Sequence, residues 1–274
     1  MAASDLKLSL RHQELRRDQR GRAFWEIVSE EAGLPCSETA LLLCDVWDQH
    51  WSRGATERVD GMVGRMNEVV AVARGAGVQI IHAPSDTMDF YADSPARKRV
   101  AEAAPAVPPK QDGLAPWLEG GDSQLLDRTL GEGAVGFDPP LPVDASDQGS
   151  DTGETETYKA WARQHEGIEV DDEVDGISDN GQEIYSYLHG MGIDRLLIMG
   201  VHTNMCVLGR SFAIRQMVRW GMDVALIRDL TDAMYSPLSP PYVSHEQGTR
   251  LVIEYIEKFW CPTVLSGDIL SSCV

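Results

Sequence analysis

Four short runs of consecutive apolar residues constrain this chain most. They are TALLLCD (Thr39 to Asp45), VQIIHA (Val78 to Ala83), RLLIMG (Arg195 to Gly200) and MDVALIRD (Met222 to Asp229). Each is too short for a typical helix and lacks the alternation of a half-exposed strand. Runs of this kind suit strands buried on both faces, as in a parallel sheet.

Helical periodicity fills the spaces between them. Glu57 to Ala76 carries apolar residues at Val59, Met62, Val63, Met66, Val69, Val70 and Ala73, a spacing that lays them on one helical face. SDNGQEIYSYLHGMG predicts a helix capped by Ser178 or Asp179 and stopped by Gly190 and Gly192. Cys206 to Trp220 and HEQGTRLVIEYIEKF read as two more helices, and PTVLS as a last short strand. A third strand precedes Ser178, either at Trp161 to Gln164 or at Ile168 to Val170. The order β-α-β, an excursion, then β-α-β-α-β-α-β predicts a three-layer α/β/α, Rossmann-like fold with a mostly parallel sheet of about six strands. Ligands of such sheets bind beyond the carboxyl ends of the strands, where the strand order reverses.

The organisation expected is an N-terminal extension at 1–35, read as one helix packed on the outside, and one domain at 36–274. An irregular insertion at about 88–158 interrupts that domain. It contains a short helix candidate (Ser94 to Ala103), many prolines and the acidic run DASDQGSDTGETET. A long irregular excursion is either a mobile surface loop or a functional lid. Asp144, Asp147, Asp151 and Glu154 lack the order of a calcium-binding loop.

Composition excludes several classes. The net charge of −19 works against nucleic-acid binding, which needs lysine and arginine to neutralise phosphates. No stretch approaches the roughly 20 apolar residues of a membrane span. Five scattered cysteines, odd in number and without a CxxC pair, argue against a disulfide framework or a zinc site. A soluble cytoplasmic protein acting on a small molecule is expected.

Two chemistry-bearing residues fall at strand ends. Asp45 follows its strand directly, and Cys206 opens a helix shortly after RLLIMG. A thiol at a helix N-terminus is drawn toward the thiolate and has free N–H groups beside it. A neighbouring carboxylate can take its proton and return it to a leaving group. The alternative is that Cys206 is an inert core thiol and Asp45 a turn residue.

The segments LLLCDVWDQHW and LLIMGVHTNMCVLGRSFAIRQMVRWGMDVALIRDLTDA resemble the isochorismatase-like cysteine hydrolases, which include nicotinamidases and N-carbamoylsarcosine amidohydrolase. The resemblance covers Ala40 to Ala83 and Gly176 to Leu270. It implies Cys206 as nucleophile, Asp45 as proton shuttle, and a cis peptide at Val201–His202. That peptide would turn the His202 N–H to form an oxyanion hole with the Cys206 N–H. It also implies a lysine at the end of the third strand, and here the chain departs: no lysine lies between Lys159 and Lys258. Lys159 and Arg163 are the candidates for that cation, unless the site has none, while Arg210 and Arg215 read as structural ion-pair partners.

The family's Asp-x-His metal motif is absent, so no cofactor is expected. Asp48, His50 and His82 form the alternative metal set, their donors suiting zinc or iron. Trp47, Trp51, Tyr91 and Trp161 are candidate pocket walls, His50 and His82 pocket residues, and Asn204 a hydrogen-bond partner for a substrate amide. The activity implied is hydrolysis of an amide or carbamoyl C–N bond through a Cys thioester, in a homo-oligomer (dimer or tetramer). The alternatives are vinyl-ether hydrolysis of the isochorismatase type and a non-catalytic binding or scaffold protein.

Overall fold

The computed structural model describes residues 5–109, 140–145 and 161–272. Thr39–Cys44 forms a strand (β3) in which every residue is buried. Alternation sends its side chains to opposite faces. Ala40, Leu42 and Cys44 join one apolar cluster, and Leu41 and Leu43 the other. The same split recurs along Arg195–Val201 (β6) and Asp223–Asp232 (β7). Two cores, one on each side of a single sheet, make the three-layer α/β fold.

The helix Arg53–Ala76 (α1) begins at Ser52, whose side chain accepts the Ala55 N–H, and ends at Gly77 with φ +93°. It packs on one face with Ser266–Ser272 (α7). Gly181–Gly190 (α3) and His245–Phe259 (α6) cover the other face. The cap of α3 is Asn180, whose side chain accepts from Gln182 and Glu183, rather than Ser178 or Asp179. The short helix Pro95–Ala101 (α2) falls inside the expected Ser94 to Ala103 segment.

With the strands Asp5–Arg17 (β1), Ala23–Pro35 (β2), Gln79–Ala83 (β4), Gly176–Ile177 (β5) and Thr263–Val264 (β8), the sheet order is β2-β1-β8-β7-β6-β3-β4-β5. β3 to β8 are parallel, and β1 runs antiparallel to β2 and β8. From β3 the chain proceeds outward through β4 to β5, then returns to β6 on the other side. The strand order therefore reverses between β3 and β6.

Several expectations need correction. Residues 5–35 form a β-hairpin, not the helix expected for the N-terminal extension, which raises the sheet from about six strands to eight. Leu6, Leu8 and Leu10 alternate with polar residues, a strand period. Leu6 and Leu8 are fully buried in the sheet core. The turn is held by Asp18, whose carboxylate accepts the Arg20 and Arg22 N–H groups. The buried Glu257 anchors the hairpin by accepting from Arg11 (2.7 Å), Gln13 (3.0 Å) and Thr263 (2.6 Å).

The third parallel strand is Gly176–Ile177, not either segment expected for it. It is only two residues long, too short to leave a hydrophobic pattern. The expected helix from Cys206 to Trp220 is two helices, Cys206–Gly209 (α4) and Ile214–Arg219 (α5). The break lies where the α3 N-terminus crosses: a Cβ at Gly181 would come 1.9 Å from the Ser211 carbonyl oxygen.

Among the described residues, no helix is long and apolar enough to cross a membrane. Lys159, Asp147, Asp151, Glu154 and most of the expected insertion lie outside the described residues.

Candidate active site

Asp45 is the first residue beyond β3, and Cys206 follows β6 by a short turn. Their strands are neighbours in register, with Cys44 opposite Gly200. This fit requires glycine: a Cβ at Gly200 would lie 2.0 Å from the Cys44 carbonyl oxygen, and its φ is +121°. Asp45 itself has φ +52°, a left-handed conformation that aspartate tolerates better than most residues. The chain leaves the strand there and carries the carboxylate into the cleft at the reversal of strand order.

The Asp45 side chain is fully buried. Its Oδ1 accepts the Ser85 N–H at 2.8 Å, and its Oδ2 accepts from Arg210 Nε at 3.1 Å. The Cys206 thiol lies beside it, near enough for each to shift the other's titration, and the Arg210 guanidinium acts on both. Sulfur, carboxylate and guanidinium thus form one contiguous group.

Burial raises the Asp45 carboxyl above its ordinary range, against the opposing pull of Arg210 and the hydrogen bonds from Cys206 and Ser85. Burial and the Asp45 charge push the Cys206 thiol up to about 12. The thiol therefore rests neutral, not as the thiolate expected from a helix N-terminus. The four-residue α4 supplies little macrodipole, and burial, followed by the negative neighbour, outweighs it.

Arg210 was read from the sequence as a structural partner, and it is instead the cation of this group. It follows Cys206 by four residues, so one helical turn places both on the same side. Its outer nitrogen also reaches Asp86 at 3.5 Å. The two residues expected as that cation stand differently. Lys159 lies outside the described residues, and Arg163 points to solvent, paired with Glu166 at 2.9 Å. The third strand is followed by Ser178 and Asp179, neither of them a cation. The signal available was the four-residue spacing from Cys206 to Arg210.

The Val201–His202 peptide is cis. The backbone N–H groups of His202 and Cys206 donate to no carbonyl of the described residues. His202 is 2% exposed, and neither of its ring nitrogens has a hydrogen-bond partner. Behind it runs a network the sequence reading missed. Asp232 accepts from Arg58 at 2.7 Å and pairs with His245 Nε2 at 2.8 Å.

The aromatic residues gather on one side. Trp47 and Trp161 stack with ring centroids 3.8 Å apart and planes 7° from parallel. His50 lies 5.4 Å from Trp161 and 4.8 Å from Trp51. Tyr91 stands apart, its hydroxyl accepting the Gln164 N–H at 3.0 Å.

Three expected site residues are committed elsewhere. Asn204 is pinned to the backbone of Met234 at both ends of its amide, each at 2.8 Å, which commits one of its N–H donors and one lone pair of its oxygen to the fold. His82 is buried between Gln164 (3.1 Å) and Asp175 (3.0 Å), and Arg74 completes that network. Asp48 accepts the Ala162 N–H at 3.0 Å. Asp48, His50 and His82 therefore do not converge, and no cluster of three or more metal-ligating side chains occurs among the described residues.

With this geometry in hand, solved structures offer a comparison. Cysteine hydrolase and isochorismatase structures are similar to this chain. One from Pseudomonas syringae pv. phaseolicola, a cysteine hydrolase, is 13% identical, with 87% of this chain and 93% of that one covered at a TM-score of 0.48. An isochorismatase from Pseudomonas putida is 12% identical over 85% and 90%, with a TM-score of 0.46. An isochorismatase family protein from Burkholderia thailandensis is 12% identical over 86% and 96%, with a TM-score of 0.45. At such identities the likeness is one of fold. No family profile and no curated protein matches the chain.

Proposed function

We propose that this protein is a cysteine hydrolase that cleaves an amide or carbamoyl C–N bond of a small molecule. The observation that carries the proposal is the thiol of Cys206 set against a buried carboxylate, Asp45, whose two oxygens are held by Ser85 and Arg210. A base that cannot rotate away is oriented for one proton.

In the first half-reaction the Cys206 sulfur attacks the carbonyl carbon as its proton passes to Asp45. The His202 and Cys206 N–H groups receive the developing oxyanion. Asp45 then returns the proton to the leaving nitrogen, the C–N bond breaks, and an amine or ammonia departs from a thioester. In the second half, water loses a proton to Asp45 as its oxygen attacks the thioester carbon. The C–S bond breaks, the sulfur recovers the proton, and the acid leaves.

Arg210 takes the charge-balancing part. The Asp45 charge and hydrogen bond raise its pKa against the effect of burial, so it remains a cation and moves no proton. Trp47, Trp51 and Trp161 form an aromatic wall for the substrate. The free state of the described cysteines, Cys36, Cys44, Cys206 and Cys261, supports a reducing, cytoplasmic location. Assembly as a homo-oligomer belongs to the same proposal.

The test is ammonia or amine release from a panel of small amides and ureido compounds, with mass spectrometry of the quenched enzyme. Turnover with an acyl adduct on Cys206, both lost in Cys206→Ala, is expected. Turnover that survives Cys206→Ala would remove the proposal.

A further inference from the structure

We infer that the small cavity between His50 and His202 holds the water that hydrolyses the thioester, and that the two imidazole rings place this water against Asp45. The inference rests on the hydrolase reading above and adds the side chains of His50 and His202 to it.

The cavity has room for about one water molecule. Asp45, His50 and His202 line it, and Ala55, Val59 and Val201 close it with hydrocarbon. A buried water makes about two to four hydrogen bonds, and these three polar side chains offer that many partners. Asp45 belongs to the reacting pair, so the water sits beside the base.

The decisive feature is His202. A buried polar atom without a partner costs about 1–3 kcal/mol, and natural folds seldom leave one unmatched. His202 is 2% exposed, and neither of its ring nitrogens meets a protein partner. A water in the cavity supplies one. The His202 backbone N–H serves the oxyanion hole in the scheme above, which keeps the ring next to the reacting carbonyl.

Hydrogen bonding sets the orientation of the water. His50 Nδ1 accepts the Ser52 N–H at 3.0 Å, so in the neutral ring the proton sits on Nε2 and that nitrogen donates. Burial lowers His50 to about 3 and His202 to about 4. Both rings are therefore neutral near pH 7, and His202 keeps one bare nitrogen as an acceptor. The Asp45 carboxylate already accepts from Ser85 and Arg210, but its oxygens carry about four lone-pair sites and take a further donor. The water thus accepts from His50 and donates to His202 and Asp45. Its remaining lone pair is the one that attacks.

A thioester on Cys206 brings its carbonyl carbon to this water. The water oxygen forms the new C–O bond as its proton passes to Asp45. The C–S bond then breaks, and the proton goes to the sulfur. A nucleophile held in place beforehand loses less freedom on reaching the transition state. Acylation consumes no water, so the two rings act on the second half-reaction.

The test follows the water and both half-reactions. In full-length protein carrying isotopically labelled histidine, NMR detects long-lived water by NOE transfer to the ring protons of His50 and His202. With the small amides of the panel above, rapid quench and mass spectrometry give the rates at which acyl-Cys206 forms and decays. Water transfer to both rings is expected. In His202→Phe and in His50→Phe the decay rate should fall by about tenfold or more, the worth of one good hydrogen bond, and the formation rate by less. Acyl-Cys206 then accumulates, and kcat and KM fall together. His202→Asn, which keeps a donor and an acceptor, should recover part of the decay rate. His50→Phe leaves the cis peptide segment untouched and provides the check if His202→Phe does not fold. No long-lived water at either ring, or formation and decay slowed equally in both variants, would overturn the inference and leave the hydrolase reading standing. If no amide acylates Cys206, the hydrolase reading falls, and a water found at the rings is then structural only, which overturns the inference as well.

Discussion

Replacing Arg210 by methionine removes the charge beside Asp45 while keeping most of the side chain's length. Arg210 Nε lies 3.1 Å from Asp45 Oδ2, in a pair whose carboxylate is fully buried and whose guanidinium is 33% exposed. Two unit charges about 4 Å apart at an effective dielectric near 20 interact by about 4 kcal/mol. Solvent reaching the guanidinium reduces that figure, and about half, ~2 kcal/mol, is a reasonable working value. At about 1.4 kcal/mol per tenfold this is a factor of roughly 30.

The sign follows from the removed charge. Burial already raises Asp45, and Arg210 is the largest influence holding it down. Without Arg210 its carboxyl titrates higher, and a protonated Asp45 cannot accept the thiol proton. The acid limb of the kcat/KM profile should move to higher pH, and on that limb alkylation of Cys206 by iodoacetamide should slow by roughly 30-fold. Arg210→Lys, which restores a positive charge without the planar fork, should recover part of both effects. An unchanged acid limb together with an unchanged alkylation rate in Arg210→Met would refute the assignment of Arg210 to the reacting group.

Two further substitutions separate support from chemistry. Asn204→Ala removes two buried hydrogen bonds to Met234 and should destabilise the fold by ~2 kcal/mol, read by urea denaturation, with KM moving less than stability. A KM effect without a stability loss would return Asn204 to substrate binding. Asp175 titrates at about 2: burial raises it, but hydrogen bonds from His82 and Arg74 outweigh that effect. A lowered carboxylate stabilises the fold above its unfolded value of 3.8, and that contribution is lost as pH falls toward 2. It amounts to about 2 kcal/mol, so Asp175→Asn should flatten the stability-against-pH curve in that window. A curve as steep as that of the unmodified protein would contradict this account.

The sequence by itself determined the frame. The runs at Thr39 to Asp45 and Arg195 to Gly200 had to be strands buried on both faces, because continuous apolar residues of that length leave no side for water. Helical periodicity between them dictated a parallel sheet, and with it the edge at which Asp45 and Cys206 emerge. The glycine before Val201 was legible as part of a motif, although its cause, contact with the Cys44 carbonyl, is not a sequence property.

What the tertiary structure decided is everything that depends on long-range placement. The two-residue strand Gly176–Ile177 has no pattern of its own and exists because β4 offers it an edge. The N-terminal hairpin shows the period of a strand at Leu6, Leu8 and Leu10, yet only the buried Glu257, far along the chain, fixes where it docks. His82 and Asn204 carry suitable donors, but neighbours distant in sequence consume them. Arg210 sits against Asp45 because a buried carboxylate needs a counter-charge and accepts whichever side chain reaches it.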